Sequence, residues 1–176
     1  MNEQLFHRLY DQFHQDVFQF LVYLVKDRLV AEDLTQEVYI RAIRSYDTFQ
    51  KHSSEKTWFF AIAKNIAIDY FRRQKVKSKH TLDYFDWDQD RLSTNEQSPE
   101  QQAILNEEKS SVLQALEKCT EDQKIVVILR YIQQLSVNET AQVLGWTEAK
   151  VKTTQHRAIQ KLKDVLNKME KKGERV

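Results

Sequence analysis

Lys152, Thr153 and His156, with Arg157 beside them, are spaced so that cationic, hydroxyl and imidazole groups share one side of a helix. Side chains of these types donate to and accept from base edges in the major groove of duplex DNA. From Thr147 to Lys163 the bases Lys150, Lys152, Arg157, Lys161 and Lys163 face one acid, Glu148, a balance suited to a phosphate backbone. A solvated lysine face would carry the same charge. What separates the two readings is the set of elements that must hold this helix.

Those elements are marked by their ends. Thr120 with Gln123, and Ser136 with Glu139, have capping-box spacing, which marks two helix starts. Ile125, Ile128, Leu129 and Ile132 form an apolar stripe between them, and Val137, Ala141 and Leu144 fit a short second helix that Gly145 ends in a left-handed conformation. Thr147 caps a third helix, whose inward face is Val151, Ala158, Leu162, Val165 and Leu166. A short helix, a Gly-containing turn and a longer basic helix form a helix-turn-helix, whose second helix enters the major groove.

Further upstream, Leu5, Leu9, Phe13, Val17, Phe20, Leu21 and Leu24 predict an amphipathic helix from Glu3 to Val25. His7 and His14 lie two turns apart on it and read as surface histidines, because no carboxylate-histidine set completes a metal site. A second helix from about Val30 to Tyr46 buries Leu34, Val38, Ile40 or Tyr39, and Ile43, and turns Asp33, Gln36, Glu37 and Arg41 outward. Residues from Asp47 to Ser54 break the period and read as a loop. The third helix runs from about Glu55 to Gln74, capped by Ser53 or Ser54, with Phe59, Ile62, Ala63, Ile66 and Tyr70 inward. Its other face carries Thr57, Lys64, Asn65, Ile68 and Arg72, flanked by Trp58, Phe60 and Phe71. Aromatic rings and cations together suit single-stranded nucleic acid, although aromatics at helical spacing also build cores.

Two glycines and one proline in 176 residues leave too few turn formers for a β fold, so the chain reads as all-α, with two small helical domains joined by a flexible linker. The expected boundaries are a first domain over 1–75, a linker over 76–97, a second domain over 98–170 and a tail over 171–176. Pro99, capped by Ser98 and followed by Glu100, opens a helix to about Lys118 through Ile104, Val112, Leu113 and Leu116. The net charge of +1 hides sorted blocks: Arg72, Arg73, Lys75, Lys77 and Lys79 precede an acidic stretch with Asp83, Asp86, Asp88 and Asp90. Cys119 is alone, which excludes a disulfide framework and reads as a buried thiol in a reducing compartment. The start lacks a signal-peptide core, and no apolar run approaches the roughly 20 residues of a membrane span, so the expected location is cytoplasmic. Gly-rich phosphate loops, Gly-x-Ser-x-Gly elbows and His-Glu-x-x-His motifs are all missing, and the chain is not expected to be an enzyme or to hold a metal or cofactor.

Four motifs in order carry a resemblance. They are Ala31-Glu32-Asp33-Leu34-Thr35-Gln36-Glu37-Val38-Tyr39; Lys56-Thr57-Trp58 through Ile62-Ala63-Lys64-Asn65-Ile66-Ala67-Ile68-Asp69 to Phe71-Arg72-Arg73; Ser98-Pro99-Glu100; and Val151-Lys152-Thr153 with His156-Arg157-Ala158. Together they resemble the extracytoplasmic-function (ECF) class of the sigma-70 family, the smallest promoter-specificity subunits of bacterial RNA polymerase. The resemblance implies domains of the region 2 and region 4 types. It also implies that Asp33, Gln36, Glu37 and Arg41 dock on the clamp helices of the largest subunit of the polymerase core, whose flap is a further partner. It implies that the loop with Phe49, His52, Ser53 and Ser54 captures a flipped non-template base of the minus-10 element. Lys64, Asn65, Asp69, Arg72 and Arg73 would meet minus-10 DNA, duplex and melted, and Lys150, Lys152, Thr153, His156 and Arg157 would read the minus-35 element. An anti-sigma factor, often membrane-anchored, is the implied regulator, and no small-molecule substrate is implied.

Thr154, Ile159 and Gln160 stand where the family commonly has basic residues, so free promoter DNA should be bound weakly. Two other classes share parts of the pattern. A regulator that binds duplex DNA unaided leaves the Asp33 ridge unexplained, and a helical adaptor leaves every basic residue merely solvated. The acidic block would disfavour DNA binding if it lay against the recognition helix. Neutralising Asp83, Asp86, Asp88 and Asp90 should then raise the free protein's DNA affinity at low salt, read by fluorescence anisotropy; unchanged affinity removes the idea.

Overall fold

The computed structural model describes residues 3–80 and 111–173. Helix α1 spans Glu3–Val25, as the sequence predicts, and buries Leu9, Phe13, Val17, Phe20, Leu21 and Leu24. Lys26 ends it in a left-handed turn (φ 57°), and Asp27 caps α2, Arg28–Ser45, by accepting the Val30 amide at 3.1 Å. A 3-10 turn at Tyr46–Thr48 leads into the loop, and α3 spans Glu55–His80. The three helices pack pairwise around one core.

That core settles the faces. On α2, Ala31, Leu34, Val38, Tyr39 and Ala42 are buried, so Tyr39 takes the inward place and Ile40 is 49% exposed. On α3 both Phe59 and Phe60 are fully buried, together with Ala63, Ile66 and Ala67. Phe13 stacks on Phe59 with centroids 5.1 Å apart, and Phe20 meets Phe60 edge-on at 5.3 Å. Phe60 and Thr57, expected beside the nucleic-acid face, are core residues, because α3 packs against both α1 and α2 and buries a wider arc than one stripe. The helix also continues beyond Gln74, since its basic tail is helix-compatible although it has no apolar period.

The C-terminal helices begin with α4, described over 111–117. Val112 is 44% exposed there, while Ala115 and Leu116 are buried. Thr120 and Gln123 form the expected capping box at the start of α5, Glu121–Val127. The helix then widens into a π turn at Ile128–Ile132. Gln134 follows with φ 57°, and the Leu135 amide reaches back to the Leu129 carbonyl at 2.9 Å. Helix α6 is Val137–Leu144 and α7 is Glu148–Gly173. Ala115, Leu116, Val127, Ala158 and Leu162 form a second core, flanked by Leu113, Cys119, Val165 and Leu166.

The chain divides into two compact units, one grouping Asn138–Trp146 with the N-terminal helices and the other holding the remaining C-terminal helices. The acidic block, most of the expected linker and the Ser98-Pro99-Glu100 helix start lie outside the described residues. Among the described residues there is no strand, and no helix is long and apolar enough to cross a membrane.

Gly145 has φ 66° with no atom within 4 Å of where a Cβ would stand, so a substitution there costs only backbone strain. Gly145→Ala should destabilise the protein by about 1–2 kcal/mol in urea unfolding followed by circular dichroism. Gly173→Ala, also in open space, should be neutral or slightly stabilising.

Candidate functional site

The α2 ridge forms as its spacing predicts. Asp33, Gln36 and Arg41 are exposed and Glu37 is half-buried, while Val38 and Leu34 anchor the opposite face. Arg41 donates to Glu37 at 2.6 Å and lies 3.7 Å from Asp69 on α3, which in turn lies 3.7 Å from Arg72. An alternating chain of charges therefore joins the ridge to the exposed side of α3. The sequence assigned Arg41 and Asp69 to different partners; the structure brings them together. Ile40, offered with Tyr39 as a buried residue of α2, is instead exposed within one turn of Gln36 and Glu37 and adds an apolar spot to the polar ridge. An isoleucine at that spacing reads as core, and no signal in the sequence marked it as exposed. Ile40 also borders a groove of about 800 Å³ between α1 and α2, walled by Tyr10, His14, Phe18 and Tyr39.

On α3, Asn65, Arg72 and Arg73 are exposed and Lys64 and Asp69 are half-buried. Burial lowers the Lys64 ammonium pKa, because the charged form loses hydration. Arg73 Nε reaches the Asp69 carbonyl at 3.4 Å. Asn65, Ile68 and Arg72 thus share an open face whose reverse side is Phe59, Ala63 and Ile66.

The loop between α2 and α3 is built on a ring cluster. Phe49 stacks on Trp58 at 4.8 Å, and Tyr46 meets Trp58 edge-on at 5.9 Å. Lys51 takes a left-handed conformation (φ 55°), uncommon for a residue with a side chain. His52 is exposed, with Nε2 2.9 Å from Gln50 Oε1, and Ser53 Oγ donates to the Ser54 carbonyl at 3.4 Å. Ser54, not Ser53, caps α3: its Oγ accepts the Thr57 amide at 3.1 Å and donates to Thr57 Oγ1 at 2.9 Å. Ser54 and Phe49 are thereby engaged within the protein, while His52 is exposed with its Nε2 on Gln50.

At the C-terminal end, Thr147 caps α7 by accepting the Lys150 amide at 3.2 Å. Lys150, Lys152, Thr153, His156 and Arg157 are all exposed on its first turns, and Val151 and Ala158 are fully buried behind them. Thr154 and Ile159 are half-buried. One brace had no sequence signal. Arg130 Nε donates to Gln155 Oε1 at 2.8 Å, Gln155 Nε2 donates to the Tyr131 hydroxyl at 3.0 Å, and Arg130 Nη1 donates to the Leu135 carbonyl. The π turn is thereby bolted to α7. Burial raises the Cys119 thiol pKa, which keeps it protonated. Among the described residues no group of three His, Cys, Asp or Glu side chains could hold a metal ion.

Glu55, at the start of α3, accepts both Arg8 guanidinium nitrogens and the Tyr46 hydroxyl, and its carboxyl is held down to about 2 from 4.5, first of all by the Arg8 hydrogen bond. A depressed carboxyl pKa stabilises the fold above the unfolded value near 4.5, and that contribution fades as pH falls toward about 2. Glu55→Gln should therefore be less stable than the parent at pH 7. The gap in melting temperature should close between pH 4.5 and 2 in paired calorimetric scans.

Residues 9–76 match the family described as Sigma-70 region 2, and residues 109–162 match Sigma-70, region 4. The ECF RNA polymerase sigma factor SigX of Bacillus subtilis (strain 168) is 48% identical over 161 residues, covering 92% of this chain and 83% of the relative. The ECF RNA polymerase sigma factor BldN of Streptomyces coelicolor is 34% identical over 164 residues, covering 92% of this chain and 60% of the relative. Among solved structures, the sigma factor RpoE in complex with the anti-sigma factor NepR from Bartonella quintana shares the fold with a TM-score of 0.75 at 22% identity, over 92% of this chain and 96% of that one. CnrH in complex with the cytosolic domain of CnrY does so with a TM-score of 0.70 at 22% identity, over 94% and 90%. With both family models matched and a relative at this identity, the chain belongs to the sigma-70 family of RNA polymerase sigma factors, in its ECF class.

Proposed function

We propose that this sigma factor docks on the polymerase core through Asp33, Gln36, Glu37 and Arg41, with Ile40 as the apolar centre of that contact. The clamp helices of the largest subunit are the partner of this ridge, and the flap meets the C-terminal domain. The domain over 1–75 then handles the minus-10 element: Lys64, Asn65, Asp69, Arg72 and Arg73 follow the strand, and the loop with Phe49, His52, Ser53 and Ser54 takes an extruded base. The domain over 98–170 reads the minus-35 duplex through Lys150, Lys152, Thr153, His156 and Arg157, with the linker over 76–97 between them and a short tail over 171–176.

The division follows from the energetics. Extruding a base costs a few kcal/mol of stacking and pairing, which a pocket offsets in part by hydrogen bonding and stacking. The minus-35 element stays duplex, so a major-groove helix suffices. The chain supplies no catalytic site; the chemistry is the polymerase's. It acts in the cytoplasm and is held inactive by an anti-sigma protein, a reading supported by its likeness in fold to a sigma factor in complex with the anti-sigma factor NepR. The observation that carries the reading is the pairing of an exposed α2 ridge with a cation-bearing α7 face in one chain, since a stand-alone regulator needs only the second.

Run-off transcription with bacterial core polymerase, the purified protein and fragmented genomic DNA tests it. Discrete starts should arise only with both components and share two upstream elements. Arg157→Ala should weaken use of the minus-35 element by about 1–3 kcal/mol without loss of helicity. Asp33→Lys with Glu37→Lys should abolish core binding. Tight sequence-specific binding by the protein alone, with no specific starts, overturns the proposal.

A further inference from the structure

Three side chains meet at a point that the DNA-reading assignment does not use. Tyr46 begins the 3-10 turn that opens the loop, Glu55 is the first residue of α3 after it, and Arg8 projects from α1. Glu55 accepts Arg8 Nη1 at 2.8 Å and Nη2 at 2.9 Å, one nitrogen on each carboxylate oxygen. The Tyr46 hydroxyl donates to Glu55 Oε1 at 2.6 Å and accepts Arg8 Nη2 at 3.2 Å. A fork of two parallel N–H···O bonds fixes orientation as well as distance.

The clamp closes a ring. Both ends of the loop are tied to one another through the Tyr46–Glu55 bond and to α1 through Arg8. The Tyr46 ring, fixed by its hydroxyl, stands 6.2 Å from Phe49 and 5.9 Å from Trp58, and Phe49 lies on Trp58. Between the tied ends, Lys51 holds its left-handed backbone. Such a conformation persists only where the surroundings over-determine it.

We propose that the Arg8–Glu55–Tyr46 clamp is a positioning device for base selection: by fixing the two ends of the loop and the Phe49 ring beneath it, the clamp decides which extruded base the loop admits. This rests on the reading that the loop captures a minus-10 base. None of the three residues touches DNA; they act through Phe49 and the loop backbone. A loop held in one geometry rejects a misfit base, because the polar groups of loop and base are then left unpaired. A loosened loop adapts to each base, so preference falls further than affinity.

The test uses holoenzyme assembled from core polymerase and the full chain, titrated with single-stranded minus-10 oligonucleotides that carry each of the four bases at the captured position. Glu55→Gln and Tyr46→Phe should each shrink the ratio between best and worst base by about tenfold at that position alone. Core binding and minus-35 preference should stay as they are. Tyr46→Phe keeps the ring and deletes one hydroxyl, so it folds even if Glu55→Gln does not. The exchanged pair Arg8→Glu with Glu55→Arg should restore the preference, which a role in stability alone does not predict. Unchanged base ratios in both single variants, with only a lower melting temperature, overturn the proposal. Phe49→Ala separates the two levels. If it flattens base preference while the clamp variants do not, the clamp alone fails; if it too leaves every minus-10 preference intact, the loop is not the reader and the clamp falls with it.

Discussion

Burial of two adjacent aromatic residues, Phe59 and Phe60, is the constraint on which the N-terminal helices depend. Neighbouring positions on a helix point about 100° apart, so burying both requires walls on two sides. The walls are α1 and α2: Phe13 and Tyr39 close on Phe59, and Phe20 closes on Phe60. With α3 seated in that cleft, only one arc of it is left to solvent, and that arc carries Asn65, Ile68 and Arg72. Replacing either phenylalanine by alanine removes about 3–5 kcal/mol of burial and packing and releases the arc. Which face α3 leaves open is thus decided by its buried residues.

The C-terminal helices solve the same problem with smaller means. Val151, Ala158 and Leu162, with Val165 and Leu166 packed beside them, fix the buried side of α7, but apolar contacts are non-directional and set rotation about the helix axis only loosely. The Arg130 fork to Gln155 and to the Leu135 carbonyl resists that rotation, and it is available because the π turn carries Arg130 toward α7. A π turn adds one residue to the helical repeat and is frequent at functional positions. Here it supplies the offset that lets Ile128 and Leu129 stay buried while Arg130 and Tyr131 reach Gln155. Gly145 sets the other end, since its left-handed backbone turns the chain into the Thr147 cap.

What the sequence made legible follows from how local each signal is. The α1 stripe, the Thr120 box, the Gly145 turn and the Thr147 cap each depend on residues within one or two turns, and each formed as read. Arg8 and Glu55 are 47 residues apart, and Arg130 and Gln155 25, so no spacing rule reaches them. Phe60 and Thr57 were misplaced because a single stripe was assumed where two helices pack against α3. Ile40 was half-placed for the opposite reason, since Tyr39 filled the inward position and left isoleucine on the ridge. The α3 extension was invisible because it carries no apolar period, and the π turn because Ile128, Leu129 and Ile132 lie on the same stripe that an unbroken α-helix would show. The surfaces that meet polymerase and DNA in the proposed function were legible mainly through family motifs, because an exposed charge looks the same whether it faces water or a phosphate.

In the proposed function, the charge on the exposed faces of α3 and α7 bears on why the protein works only with a polymerase. Each phosphate neutralised contributes counterion release and steepens the fall of affinity with salt, so a surface with few cations binds weakly at physiological ionic strength. On α7, Thr154 and Ile159 are half-buried and uncharged beside Lys150, Lys152 and Arg157, which leaves a short cationic face. On α3, Arg72 shares Asp69 with Arg41, so part of its charge is already answered within the protein. The loop can take a base only after the duplex has opened, and opening costs more than one pocket returns. On that reading neither surface is sufficient alone. Docked together on the core enzyme, the second contact becomes intramolecular, and its effective concentration multiplies two weak preferences into one strong one. On the proposed reading, a sigma factor built this way leaves promoters empty until it has found its polymerase, and the short cationic faces of α3 and α7 are the means of that dependence.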